Sequence, residues 1–360
     1  LIKMKYSFKL VFTLVAVVLT MEISAQDIHF SQFYMSPLNL NPAMTGVMNC
    51  KNRFIANYRN QWAGALQANA YNTYSISYDQ KTPIGREDYF GIGGTLWSDV
   101  AGESRFGTTQ GRISLSYSKK MSGYRQKASY LVIGADAGIS QRRIRENDLR
   151  WPSQIDANGF DPSKLGQDIP DNDFIYPDIS AGLLWFSVMN KYTNWYLGAA
   201  IHHLNQPNVS FFGDGSKGVN LYNRITLHGG GQFEMKPKIS FLPFAVFMMQ
   251  GPHREFNGGA SFRFALGPSR TSNQSWQIGA WYRLGIQDDD PTTDDNGVKL
   301  HSDAVILSTR FNYENFGIGF SYDLTVSGLA AASPANGAFE FSLTYDICGP
   351  ENRGVYCPRF

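Results

Sequence analysis

Beyond residue 25 the sequence has no continuous apolar run approaching the ~20 residues that a membrane-crossing helix needs, which excludes helical spans from the rest of the chain. Charge is scarce, at 17% of residues, and the net charge of +2 is scattered with no basic stripe, so a nucleic-acid partner is not expected. Only three cysteines occur, too dispersed to hold a metal. No glycine-rich loop of the phosphate-cradling type is present, and no Ser, His and acid set converges on a nucleophile. What remains is a chain rich in aromatics (14%) and glycine (35 residues), a composition that leans towards a β-barrel.

The clearest stretch runs from Ala304 to Leu324. Val305, Leu307, Thr309, Phe311 and Tyr313 share one face of a period-two pattern, and Ala304, Ile306, Ser308, Arg310 and Asn312 share the other. After Glu314-Asn315 the pattern restarts, with Phe316, Ile318, Phe320, Tyr322 and Leu324 against Gly317, Gly319, Ser321 and Asp323. The pair reads as a hairpin with one face for lipid and one for water. Such strands span a bilayer only when every edge is paired, so the expected fold is all-β: a transmembrane antiparallel β-barrel.

The pattern recurs to give about 14 strands: Arg53–Asn60, Asn72–Tyr78, Tyr89–Trp97, Thr109–Lys119, Ser129–Ser140, Ile179–Val188, Trp195–Leu204, Arg224–Glu234, Ser240–Gln250, Glu255–Leu266, Ser275–Leu284, Ala304–Tyr313, Phe316–Leu324 and Ala338–Ile347. The odd-numbered connections (61–71, 98–108, 141–178, 205–223, 251–254, 285–303 and 325–337) are mostly long. The even-numbered ones (79–88, 120–128, 189–194, 235–239, 267–274 and 314–315) are short. That sorting fits extracellular loops and periplasmic turns, with both termini periplasmic. Parity puts Leu131, Ile133, Ala135, Ala137 and Ile139 on lipid. It sends Arg112, Asp136, Glu234, Arg263, Arg283, Arg310, Asp323 and Glu340 into the lumen as salt-bridging or path-lining charges. Trp195, Trp276, Tyr313, Phe316 and Tyr345 are expected at one interface, and Trp62 and Trp97 at the other.

Residues 1–25 read as a secretory signal peptide: Lys3, Lys5 and Lys9, an apolar core from Leu10 to Leu19, and small residues before Gln26. Residues 26–49 follow neither period, so an irregular leader is expected there, as a lumen plug or a periplasmic docking strip. The lumen is favoured, because fourteen strands enclose more space than wall side chains fill. The barrel occupies 50–347, and 348–360 is a tail in which Cys348 and Cys357 are expected to pair in the oxidising periplasm, unless Cys50 takes one of them.

His202-His203 is weak as a metal site because neighbouring strand residues are expected to face opposite sides. Asp288-Asp289-Asp290 with Asp294-Asp295 has hard oxygen ligands for Ca²⁺, but such a loop is usually only solvated. Trp151, Phe160, Phe174, Phe211 and Phe212, in the two longest loops, suggest a partner-binding surface, the bland alternative being that they fold inward and cap the lumen. No catalytic residue, cofactor or metal is assigned.

Gln26-Asp27, Phe30-Ser31-Gln32-Phe33, Pro37-Leu38, Asn41-Pro42-Ala43, Gly46 and Tyr58-Arg59-Asn60-Gln61-Trp62 resemble the opening of the PorP/SprF family of type IX secretion proteins. Thr82-Pro83-Ile84-Gly85 and Phe339-Glu340-Phe341-Ser342-Leu343-Thr344-Tyr345 are similar to that family as well. The resemblance implies a Bacteroidota outer-membrane barrel that exports or holds a large secreted surface adhesin, including gliding adhesins, in contact with periplasmic or outer-membrane machinery. On residues alone, a 14-stranded transporter for small hydrophobic molecules is the alternative.

Overall fold

A computed structural model describes residues 27–123, 127–156, 159–161, 163–167, 169–190, 192–212, 219–267, 274–287, 299–327 and 337–349. Residues 1–25, read above as a signal peptide, the acidic run at 288–295, Cys357 and Phe360 lie outside the described residues. The barrel strands are β1 (Asn52–Gln61), β2 (Tyr71–Ile84), β3 (Asp88–Ala101), β4 (Phe106–Ser122), β5 (Ala128–Arg143), β6 (Asp173–Asn190) and β7 (Thr193–His202). They continue as β8 (Arg224–Lys236), β9 (Ile239–Gln250), β10 (His253–Ala265), β11 (Ser275–Gln287), β12 (Lys299–Tyr313), β13 (Phe316–Thr325) and β14 (Gly337–Ile347). Each pairs antiparallel with its chain neighbours, and β1 closes on β14, leaving no sheet edge.

The alternation that marks each strand also sorts its faces. On β12 and β13, Leu307, Phe311, Tyr313, Phe316, Ile318, Phe320, Tyr322 and Leu324 are exposed on the outside, while Ala304, Ile306, Ser308, Ser321 and Asp323 are buried on the inside. Leaving a charge on the outer face near the midplane costs about 2–4 kcal/mol, and the inward parity of the buried Arg59, Arg112, Arg283, Asp323 and Glu340 avoids it.

Several strands run longer than the sequence suggests. Extension of β3 and β4 leaves only 102–105 between them, and β9 and β10 are joined by Gly251-Pro252, so two connections on the long-loop side are short. The loops 144–172 and 203–223 remain long. Trp97 is corrected: parity on β3 turns it inward with Thr95, and its indole Nε1 donates to Gln110 Oε1 at 2.9 Å. An aromatic near a strand end resembles a girdle residue until its face is fixed.

The cysteine pairing is also corrected. Cys50 bonds Cys348, in place of the expected Cys348–Cys357 bridge. Closure explains it: Asn52 lies opposite Ile347, so the residues flanking the β1–β14 seam meet, with their Cα atoms 4.2 Å apart.

Candidate functional site: the lumen and the leader

The segment before β1 cannot form one helix, because Pro37 and Asn41-Pro42 restart the chain. It folds instead as three short turns, Phe33–Met35, Pro37–Leu40 and Pro42–Met44, with Asn41 Oδ1 accepting from Ala43 N at 2.8 Å to cap the last. Every residue from 30 to 48 is buried, against the inward faces of the strands.

The leader threads the lumen from end to end. β1 begins and β14 ends on the short-turn side, and Asp27 sits at the long-loop end, so the leader spans the height of the wall. There the Asp27 carboxylate meets His203 Nε2 at 2.7 Å and Arg224 at 3.1 Å, and its amide donates to Gln250. His203 also holds Asp178 at 2.9 Å through Nδ1. Burial pulls the His203 pKa down, but Asp27 and Asp178 outweigh it and hold the ring up at about 9. Burial opposes ionisation of Asp27, and His203 and Arg224 overcome that to keep its pKa far below the carboxylate range.

Deeper in, Ser31 Oγ donates to Asp323 at 2.6 Å, and the amides of Ser31 and Gln32 donate to Glu340. Arg59 pairs with both carboxylates, and Arg283 holds Asp323 at 2.9 Å and Asp303 on its other side. The bulge at Arg283/Leu284 is what aims Asp303 there. Phe33 then stacks on Phe244 with centroids 4.3 Å apart, and Tyr34 on Trp281 at 5.4 Å. Asn39 takes Arg112 Nη2 at 2.7 Å and donates to Ser75, while Arg112 pairs with Asp136 at 3.4 Å. Asn41 Nδ2 reaches Leu183 O, Ala199 O and His228 Nε2. At the short-turn end the Gly46 amide donates to Asp79, which Arg53 grips with two bonds.

Inward glycines make room for this path. A Cβ on Gly182 would lie 1.9 Å from Asn41 Oδ1, one on Gly134 2.5 Å from Ala43, and one on Gly91 2.3 Å from Thr45 O. Each sits within a strand, where glycine weakens pairing, so close approach of a second backbone accounts for it.

Of the lumen charges read from sequence, Asp136, Arg283, Asp323 and Glu340 join these networks. Arg263 and Arg310 instead bond Ser275 and Asn312 at an open cavity at the short-turn mouth, which Tyr34, Met35, Met48 and Asn49 of the leader also line. Sequence reading missed Arg53, Arg59 and Arg224, which strand parity could have found, and Asp79 and Asp178, which lie just beyond the strand ends read from sequence. His203 is a correction: it lies past β7 with φ 58°, so it does not alternate with His202, and both rings are buried inside.

The loop aromatics divide. Phe211 packs on Phe174 at 5.3 Å and Phe106 at 5.9 Å, over a small cluster of Tyr176, Val209 and Leu221, so Phe174 and Phe211 are not presented outward. Trp151 is half-buried against Gly166. Phe160 and Phe212 are exposed, together with Ile155 and Leu165, and Arg150 stacks over Phe160 at 5.2 Å. Among the described residues no group of three or more His, Cys, Asp or Glu is placed to hold a metal.

Residues 22–345 match a family model described as type IX secretion system membrane protein PorP/SprF. Among solved structures, the chain is similar to CdiB from Escherichia coli, at 9% identity over 82% of this chain and 62% of that one, with a TM-score of 0.47. It is also similar to the Pseudomonas putida toluene transporter TodX, at 10% identity over 86% and 92%, TM-score 0.43. A third is BamA from Haemophilus ducreyi lacking POTRA domains 1–3, at 8% over 83% and 70%, TM-score 0.37. No curated protein matches.

Proposed function

The chain belongs to the PorP/SprF family of type IX secretion system membrane proteins, and from that premise we propose that it is a non-enzymatic barrel that holds a secreted surface adhesin at its extracellular loops. Its location is the outer membrane, as the family and the closed fourteen-stranded barrel require. The observation that carries the reading is the filled lumen: with residues 30–48 buried along its length, cargo is handled at the outer face and not through a standing pore. The same filling counts against the small-molecule transporter. On this reading the long-loop end is extracellular, β1 and β14 meet on the periplasmic side near the rest of the machinery, and the leader is a plug.

The contact surface falls on the apolar residues the outer loops leave in water, Ile155, Phe160, Leu165 and Phe212. The test is an affinity pull-down from detergent-solubilised native outer membranes, comparing the full chain with one in which 150–167 is replaced by a short Gly-Ser link. Recovery of a large surface protein with the first and its loss with the second is the expected result. Equal recovery with both, or no protein with either, overturns loop-mediated holding.

A further inference from the structure

The leader is bound as a ligand is bound, and the geometry points to a second use for its path: the lumen is a polypeptide-binding channel in which the leader, folded as short turns, stands in for a segment of a secreted partner that adopts the same turns. This rests on the plug reading above and names what the plugged site takes.

The wall supplies distinct receptors along the channel. His203 and Arg224 receive a carboxylate, here Asp27. Glu340 and Asp323 receive successive amide donors and a hydroxyl, here Ser31 and Gln32. Phe244 and Trp281 form two stacking slots, here for Phe33 and Tyr34. Leu183 O, Ala199 O and His228 receive a primary amide, here Asn41. Between them Gly91, Gly134 and Gly182 leave a track that only a close-lying backbone fills. These groups recognise a polypeptide folded into short turns, with an acidic residue, a Ser-Gln-like pair, adjacent aromatics and an Asn in that order.

The attachment also suits exchange. At the short-turn end the Cys50–Cys348 bond pins the leader's root to the seam. Its other contacts are side-chain hydrogen bonds, ion pairs and packing, with no strand pairing to the wall. The cavity at the short-turn mouth borders Tyr34, Met35, Met48 and Asn49, so an entering segment meets the leader there before displacing it.

The test inserts a protease recognition sequence between Asn49 and Cys50 of the full chain, cuts it after folding in detergent, and adds a fluorescein-labelled synthetic peptide of residues 27–48. The cut barrel is expected to take up the labelled peptide saturably, the uncut barrel less than about a tenth as much, and a D27N/N41A peptide to bind at least about tenfold more weakly, since several hydrogen bonds of ~1 kcal/mol are lost. A cut barrel that releases its leader but takes up no peptide overturns the proposal, as does equal binding of the D27N/N41A peptide. So does a leader that leaves only when the barrel unfolds. Should the insertion prevent folding, hydrogen exchange on the unaltered protein decides: leader amides exchanging at least about tenfold faster than those of β5 support displacement, and exchange only in concert with the strands refutes it. The loop pull-down does not involve the lumen, so the two readings fail separately.

Discussion

Replacing Gly182 by alanine adds one methyl group to the inner wall and should open the plug without harming the barrel. The new Cβ would lie 1.9 Å from Asn41 Oδ1, 3.0 Å from its Cγ and 3.2 Å from Ala43 N, so the Asn41 amide has to leave. With it go the cap on Ala43 and the donation to Leu183 O, Ala199 O and His228. Each of these four lost bonds is worth ~1 kcal/mol, so leader retention should weaken by roughly 3–5 kcal/mol. That multiplies the population with a displaced leader by a factor of about 10² to 10⁴. Single-channel recording in planar bilayers reads it as frequent openings where the unaltered protein is closed, and faster hydrogen exchange across residues 38–46 reports the same event. Heat-modifiable migration in gels should stay unchanged, since alanine suits a strand at least as well as glycine. Gly111→Ala is the control, because its Cβ would meet only Leu96 Cδ1 at 3.9 Å. A G182A protein as closed and as protected as the unaltered one refutes the view that close approach of Asn41 and Ala43, not chance, put glycine there.

Maleimide labelling of the folded, unreduced protein should modify Cys357 alone, and peptide mapping should return Cys50 linked to Cys348; a Cys348–Cys357 peptide would contradict the seam bond. The outer clamp should depend on pH through His203. Its folded pKa of about 9 lies above the ordinary 6.5, so its contribution is full below 6.5 and is lost as pH rises through 9. Asp27 acts oppositely, being fully effective above 3.8 and losing effect as pH falls below it. Protection of residues 27–32, corrected for intrinsic exchange, should therefore fall between pH 7 and 10, and H203Q should abolish that change.

The barrel was legible because its solvent sorts side chains strictly. From Ala304 to Leu324 the outward positions are apolar or aromatic except Thr309, and the register Tyr313↔Phe316 and Leu307↔Tyr322 reproduces the hairpin seen in the sequence. What stayed hidden depends on contacts between distant segments. Cys50 meets Cys348 only because the sheet closes, at a separation of 298 residues. Asn41 and Gly182 carry no sign of each other in the chain, although glycine in a strand hinted at close approach somewhere. His203 escaped because a period-two rule stops applying where a strand stops, and nothing in Ile201-His202-His203-Leu204 marks the end of β7 there. The loop aromatics failed for another reason: hydrophobic side chains in a long loop bury one another when they can, as Phe174 and Phe211 do, and composition cannot tell which are left over.

The direction of the leader ties these features into one constraint. Its root is bonded to the seam at the short-turn end, and Asp27 is clamped at the opposite mouth, so the segment spans the full height of the wall. The β1–β14 pairing runs from Asn52↔Ile347 to Gln61↔Ala338 and encloses it completely. Arg59 on β1, Glu340 on β14 and Asp323 on β13 meet around Ser31 only when that seam is formed. Closing the barrel on an empty lumen would leave Glu340 and Asp323 without the donors that Ser31 and Gln32 supply, and burying such charges incompletely paired costs several kcal/mol. A partner segment that replaced the leader would have to hold the seam charges satisfied from within while its remainder stayed outside.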